Sequence, residues 1–351
     1  MSDFFRNLNK TINTDGNIFL ADDASSSAEF AGNIDTGSYI LNAAFSGSLY
    51  GGVPNNKITT FAGESATGKT FFVLGLVKKF LDDNPTGGVY YFDTEAAVTK
   101  EMMRKRGVDT ERVTIAETIS IQEFRTLALR ILDNYIGLDD RPPMLLVLDS
   151  LGQLSSSKEL EDTTDGKETR DMTKAQLLKA TFRVLNLKLA KARVPLLITN
   201  HVYDVVGAYI PTKEMSGGSG LKYASSQICY LSKRKEKDGT EVVGNQIRVK
   251  MHKSRLTKEN KEVIVMLSYK TGLDRYFGLL ELAEKYGIFK KVSTRIELPD
   301  GTKTFGKTIN SNPEKFYTPE IMEKLEIAAR KEFLYGEEDE VEKEEELESV
   351  G

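Results

Sequence analysis

The eight residues Gly63, Glu64, Ser65, Ala66, Thr67, Gly68, Lys69 and Thr70, reading GESATGKT, constrain the fold more than any other part of the chain. Two glycines at this spacing followed by Lys and Thr form the phosphate-loop pattern, which needs a strand before it and a helix after it. Both are legible. KITTFA, from Lys57, reads as a short buried strand, and KTFFVLGLVKKFL places Val73, Leu76, Val77, Phe80 and Leu81 on one helical face. In such a loop backbone N–H groups and the helix N-terminus surround phosphate oxygens, Lys69 supplies a mobile positive charge, and Thr70 offers a hydroxyl to magnesium. All eight residues are therefore candidate nucleotide-binding positions.

The pattern continues downstream. GVYYFD reads as a second strand, MLLVLDS (144–150) as a third and VPLLITNH as a fourth, while Leu178, Phe182, Leu185, Leu189 and Ala192 recur at helical spacing between the last two. Strands alternating with helices imply an α/β fold with a mostly parallel central sheet and right-handed crossovers. Asp149, closing the third strand, would stand near the magnesium at the sheet edge where open α/β sheets bind ligands. Between Lys222 and Lys261 the chain reads as antiparallel strands joined at Asp238-Gly239. Beyond about residue 270, GLLELAEKYGIF, a Pro299-Asp300-Gly301 turn and the helical PEIMEKLEIAARKEFL predict a small α+β unit. No internal repeat is present.

Composition narrows the chemistry. Cys229 is the only cysteine among 351 residues, which excludes an internal disulfide and a Cys-cluster metal site. His201 and His252 are the only histidines, too few for a His-based zinc site. The first residues lack the basic-then-apolar pattern of a secretory signal, and no apolar run is long enough for a bilayer, so the expectation is a cytoplasmic protein with no membrane partner. The net charge of −4 is unevenly spread: residues 337 to 348 hold nine acids and one lysine, whereas Lys222 to Lys261 holds eleven basic and four acidic residues. The first is expected to be a solvated tail and the second a strip facing a polyanion.

Taken in order, DTGSYILNAAFSG, GESATGKT, YYFDTEAA, LLVLDSLGQL, LLITNH, MSGGSGLKYASS and VKMHKSR resemble the RecA-like strand-exchange recombinases, and among them the phage UvsX-type branch. The similarity covers most of the chain and extends to GLLELAEKYGIFKK, NPEKFYTP and the acidic tail. It implies a RecA-like ATPase core at 41–270, preceded by an oligomerisation arm and linker at 1–40 and followed by a small α+β domain at 271–336 and a disordered acidic tail at 337–351. It also implies ATP and Mg2+ as ligands, with Thr70 and Asp149 holding the metal, and a helical filament on single-stranded DNA that pairs with homologous duplex. Single-strand-binding and mediator proteins are the implied accessory partners.

Residue by residue, the resemblance puts Glu95 where the family's glutamate activates the attacking water, a task suited to a carboxylate at a strand end. Asp93, two positions earlier, reads as a structural turn acid; whether the two share a face depends on where the strand stops. His201 falls at the position that senses γ-phosphate, with Asn200 assisting. Lys253 and Arg255 match the two cations that reach the ATP of an adjacent subunit. Two DNA-binding loops are implied, at about 155–173 and 202–217, the second bearing Tyr203 and Tyr209 with Gly217 and Gly218 at its exit. One departure is Met102, which stands where the family places an aromatic residue against adenine. Two alternative functions share these features: a ring helicase with the same core, and a recombination mediator that uses ATP only as a conformational ligand.

Overall fold

The computed structural model describes residues 7–8, 11–12, 32–167, 173–204, 213–238, 240–268 and 272–336. Tyr209, the acidic tail and most of the N-terminal arm lie outside them.

Helix α1 (Tyr39–Ser46) precedes the sheet and ends on Gly47 in the left-handed conformation. It spans the boundary read at 40/41. Strand β1 (Ile58–Gly63) then leads through the phosphate loop into α2 (Lys69–Asp83). Next come β2 (Gly88–Asp93), α3 (Lys100–Lys105), β3 (Val113–Glu117), α4 (Ile121–Ile136) and β4 (Met144–Asp149). After β4 come α5 (Ser157–Thr164), α6 (Lys174–Ala192), β5 (Leu196–Asp204), β6 (Lys213–Met215) and α7 (Gly218–Ala224). Long strands β7 (Gln227–Asp238) and β8 (Glu241–Ser254) are followed by β9 (Glu262–Ser268) and β10 (Gly272–Leu273).

These strands form one ten-stranded sheet in the order β10-β9-β8-β7-β1-β5-β4-β2-β3, with β6 alongside β5. The pairs from β7 through to β3 are parallel, and β7 with β8, β8 with β9 and β9 with β10 are antiparallel. The expected mostly parallel sheet with an antiparallel extension is present. Strand β3 and helix α4 are additions to the expected pattern. The burial of β3 is intermediate or low, as suits an edge strand without a continuous apolar run.

Helices cover both faces. On one, Phe72, Val73, Leu76, Val77, Phe80 and Leu81 of α2 pack with Phe61, Tyr91 and Val147. On the other, Phe182, Leu185 and Leu189 of α6 and Phe124 and Leu132 of α4 pack on Phe92, Leu146 and Ile198. Inner strands buried on both faces explain why β4 is an uninterrupted apolar run ending in Asp149.

The C-terminal segment contains α8 (Leu279–Lys285), a three-stranded sheet of β11 (Lys290–Val292), β12 (Arg295–Glu297) and β13 (Lys303–Thr304), and α9 (Gly306–Ser311). The Pro299-Asp300-Gly301 turn connects β12 to β13, with Asp300 accepting from Thr302 N at 2.9 Å. Helix α10 (Pro319–Phe333) starts with a Thr318 cap and packs Leu325, Ala329 and Phe333 into the same apolar cluster as Phe45 and Phe61. Glu332 adds ion pairs to Lys261 and Lys285. The small C-terminal unit therefore shares its core with the sheet rather than forming a separate one.

Candidate active site

The loop between β1 and α2 turns through two left-handed residues, Ala66 at φ 59° and Gly68 at φ 96°. Helix α2 has no side-chain cap and no acid in its first turn. Its N-terminal N–H groups and positive dipole end are thus left to an anion. Gly63 permits the tightness of the turn, since a Cβ there would meet Thr67 Oγ1 at 2.7 Å and Leu231 O at 2.9 Å. The Lys69 ammonium folds back onto the loop, donating to Gly63 O at 3.0 Å and Glu64 O at 2.8 Å. Burial pushes its pKa below the ordinary lysine value, against the opposing charges of Asp149 and Glu95.

Parallel register brings the other strand ends to this loop. Asp93 and Asp149 are register partners, as are Gly63 and His201. Asp149 accepts from Thr70 Oγ1 at 2.8 Å and from Tyr91 OH at 2.6 Å, both on Oδ2, and Thr199 Oγ1 donates to Oδ1. Among the described residues no group of three or more His, Cys, Asp and Glu is arranged to hold a metal. Magnesium, however, commonly takes one or two protein oxygens and fills its remaining sites with water and phosphate, and Thr70 with Asp149 supplies the required hard oxygen donors.

Strand β2 stops at Asp93, which separates the two acids of YYFDTEAA. Asp93 is buried and accepts from Glu95 N at 3.0 Å and Val98 N at 3.2 Å, so its carboxylate organises the turn. Glu95 projects beyond the strand end. Its Oε1 accepts from Ser150 Oγ at 2.7 Å and lies 3.2 Å from His201 Nε2. Burial alone would raise its pKa, but hydrogen bonds from Ser150 and His201 and the charges of His201 and Lys69 hold it below the ordinary carboxylate value of 4.5. An ionised carboxylate only accepts, so the facing His201 Nε2 carries the proton.

Asn200 is fully buried. It donates to Ser216 O at 2.8 Å and accepts from Ser216 Oγ, a closure that ties the two ends of the 202–217 segment together beside His201. Gly152 fits beneath this closure, where a Cβ would come within 2.9 Å of Ser216 Oγ and 3.3 Å of His201 Cδ2. Tyr203 is exposed on β5, and Gly217 and Gly218, at φ 89° and 65°, form the entry to α7. The 155–173 segment opens with α5, which carries a Ser156–Glu159 capping box, rather than with an irregular loop.

Lys253 and Arg255 lie elsewhere. Lys253 pairs with Ile228 in β7, and Gln227 and Ile228 lie beside Thr59 and Thr60 at the beginning of β1. The two cations therefore lie towards the opposite end of the strands from Gly63: Lys253 is level with Thr60, about 10 Å along the strand direction and two strands across from Gly63, and Arg255 lies farther along. Lys253 donates to Lys222 O and Ser225 O, each at 2.7 Å, and Arg255 to Tyr223 O at 3.5 Å, all at the C-terminal end of α7. Burial, followed by the nearby Arg255, lowers the Lys253 pKa.

The basic strip is also divided by strand alternation. Lys233, Lys235 and Lys237 fall on one face of β7, opposite Ile247, Asn245 and Val242, whereas Arg234 sits with Arg248 and Lys250 on the other. Lys233 donates to Ala66 O of the phosphate loop. The expectation of one polyanion-facing strip is thus replaced by two smaller basic faces.

Sequence reasoning missed Tyr91, Ser150 and Thr199. The available signal was a hydroxyl near the C-terminal ends of β2 and β4 and at mid-strand in β5, where parallel register gathers side chains.

The family described as the RecA N-terminal domain matches residues 4–274. The "Recombination and repair protein" of Enterobacteria phage T4 is 31% identical over 252 residues, which cover 72% of this chain and 63% of that protein. "Protein RecA" of Streptomyces rimosus is 27% identical over 316 residues, covering 87% and 80% of the two chains. "Protein RecA" of Arthrobacter sp. (strain FB24) is 26% identical over 307 residues, covering 85% and 84%. The aligned length is thus less than two thirds of the phage protein.

Proposed function

The chain belongs to the RecA family, matched across residues 4–274, and from that premise we propose that it is an ATP-dependent strand-exchange recombinase. Subunits with ATP and Mg2+ polymerise head to tail on single-stranded DNA, pair it with homologous duplex, and hydrolyse ATP to ADP and phosphate. The observation that carries this reading is the placement of Lys69, Thr70, Asp149 and Glu95 at one sheet edge and of Lys253 and Arg255 at the other. Within one chain those two cations are held on the carbonyls closing α7, towards the other end of the strands, and a head-to-tail neighbour is the copy that presents them to a nucleotide at the loop.

Phosphoryl transfer needs positioning and charge stabilisation more than covalent help. Gly63 to Thr70 cradle the triphosphate, and Lys69 transfers its donors from the loop carbonyls to phosphate oxygens. Thr70 and Asp149 would hold a magnesium ion, which would supply charge neutralisation at the phosphates. Glu95, ionised at neutral pH, orients the attacking water and takes its proton. Lys253 and Arg255 of the neighbour stabilise the charge developing on the transferred group, which makes turnover depend on assembly.

His201 touches Glu95 and stands at the start of the segment carrying Tyr203 and Tyr209. It serves with Asn200 as the γ-phosphate sensor that ties nucleotide state to the second DNA loop. Tyr203, Tyr209, Gly217 and Gly218 belong to that DNA contact, where ring faces and backbone amides suit sequence-tolerant binding. The arm (1–40) joins subunits, the core (41–270) binds ATP and DNA, and residues 271–336 form an appended domain. The acidic tail (337–351) attracts basic accessory proteins. No helix among the described residues is long and apolar enough to cross a membrane, and we place the protein in the cytoplasm of a bacterium or phage-infected host.

ATP hydrolysis with and without single-stranded DNA, followed by a joint-molecule assay, tests this function. Stimulation by DNA together with homologous pairing is expected. Hydrolysis coupled to duplex unwinding without pairing would identify a helicase, and loss of both stimulation and pairing would overturn the recombinase reading.

A further inference from the structure

Asp149, closing β4, is a buried carboxylate to which hydroxyls donate from three different elements. Its Oδ1 accepts from Thr199 Oγ1, and its Oδ2 accepts both from Thr70 Oγ1 at 2.8 Å and from Tyr91 OH at 2.6 Å. Thr70 belongs to the phosphate loop and its helix, but Tyr91 does not. Strand geometry brings it there. Tyr91 is the register partner of Val147, and Asp93 that of Asp149, so Tyr91 and Asp149 are diagonal neighbours whose side chains leave the same face of the sheet. At that offset the hydroxyl has to be carried on a long, flat side chain, which tyrosine provides.

The Tyr91 ring is fully buried in the core that α2 shares with Val147, so the phenol cannot swing away from Asp149 as a surface side chain could. A phenol is ordinarily protonated at neutral pH and an ionised carboxylate only accepts, which fixes the direction of the bond. Each carboxylate oxygen offers about two lone pairs. Thr70 and Tyr91 together use those of Oδ2, whereas Thr199 uses one on Oδ1. Asp149 therefore keeps one oxygen open to a cation and not both.

That asymmetry bears on which divalent ion the site accepts. Ca2+ takes about six to eight oxygens in flexible geometry and often grips both oxygens of one carboxylate, whereas Mg2+ demands a near-ideal octahedron, whose right angles do not suit two oxygens of one carboxyl group. We propose that Tyr91 is a metal-specificity residue: by occupying Oδ2 it denies Asp149 the two-oxygen grip that favours Ca2+ and keeps the nucleotide site selective for Mg2+. This rests on the reading of Gly63 to Thr70, with Asp149, as the site of a nucleotide and its metal. Tyr91 acts through Asp149 and is a positioning residue.

The test measures binding of a fluorescent ADP analogue to the full chain as Mg2+ or Ca2+ is added, so that no turnover enters the readout. The wild type is expected to reach half-saturation at a Mg2+ concentration at least about tenfold below that of Ca2+. Tyr91→Phe, which removes only the hydroxyl, is expected to narrow that ratio about tenfold, chiefly by improving the response to Ca2+, in keeping with release of one charge-assisted hydrogen bond. A hydroxyl that served only the core would change thermal stability and leave the ratio as it was. An unchanged ratio therefore overturns the proposal.

Thr199→Val removes the donor from the other oxygen. Because Oδ2 keeps both of its donors, the ratio is expected to stay within about twofold of the wild-type value. Relaxation as large as that of Tyr91→Phe would mean a general loosening of the carboxylate and would overturn the specific role of Tyr91. Where Tyr91→Phe does not fold, the wild type decides: equal half-saturation with Ca2+ and Mg2+ overturns the proposal. A wild-type chain that binds the analogue with neither ion would overturn the nucleotide-site reading and this inference with it, a result distinct from binding without selectivity.

Discussion

At the C-terminal ends of β1, β2, β4 and β5, polar side chains bond to one another: Thr70, Tyr91 and Thr199 to Asp149, and Ser150 and His201 to Glu95. At the opposite end of the same sheet, Lys253 and Arg255 bond to main-chain carbonyls closing α7. The first edge is an organised pocket assembled within one chain. The second is a cation pair mounted on a helix terminus, where the negative dipole end steadies positive charge before any partner arrives. In the function we propose, a single subunit binds nucleotide with one end of its strands and stabilises a neighbour's nucleotide with the other, so that the sheet would link successive sites.

The sharpest test of that contrast lies at the pocket edge. Glu95→Gln is expected to keep ATP and DNA binding while lowering turnover by about 10²- to 10⁴-fold, the usual range for a positioned general base; single-turnover hydrolysis measures it. A smaller loss would place water activation elsewhere. The opposite edge is addressed by mixing Lys253→Ala subunits with Lys69→Ala subunits. Each alone is expected to be inactive, and a random equal mixture should complete about a quarter of its interfaces, restoring hydrolysis in proportion. Strict additivity of the two inactive preparations would mean that the cations do not act across subunits.

Asp93→Asn should matter less. Its two oxygens receive Glu95 N and Val98 N, and an amide can accept only on its oxygen, so thermal unfolding should report a loss of roughly 1–3 kcal/mol. Turnover is expected to fall far less than with Glu95→Gln. Equal damage with DNA binding intact would erase the division between the two acids.

The smallest expected change concerns pH. The Glu95 pKa lies below its ordinary value, so the carboxylate interactions contribute above the ordinary range and fade as pH falls through the depressed value. Ser150→Ala removes one of the bonds that lower it and should move the acidic limb of the pH–rate profile upward, by less than about one unit. No upward movement would show that Ser150 does not tune this carboxylate.

Much of the pocket was legible because its parts are local. GESATGKT carries its own strand and helix, and LLVLD declares both a buried strand and the acid at its end. The role of Asp93 was readable as a turn acid for the same reason. Tyr91 was not, because an aromatic residue in a strand reads as core; only the pairing of β2 with β4 places its hydroxyl on Asp149. Strand β3 escaped detection because its sequence has no strong apolar run, and the edge position it occupies does not require one.

The sequence by itself determined the phosphate loop, the alternation that builds a parallel sheet, the antiparallel extension and the uneven charge. These depend on spacing and hydrophobic period over a few residues. Only the tertiary structure decided that Glu95 meets Ser150 and His201, that Arg106 lies on Phe71, and that Lys253 and Arg255 sit towards the other end of the strands from Lys69. Strand order and register set those relations between segments far apart in sequence, and no local pattern encodes which strand becomes another's neighbour.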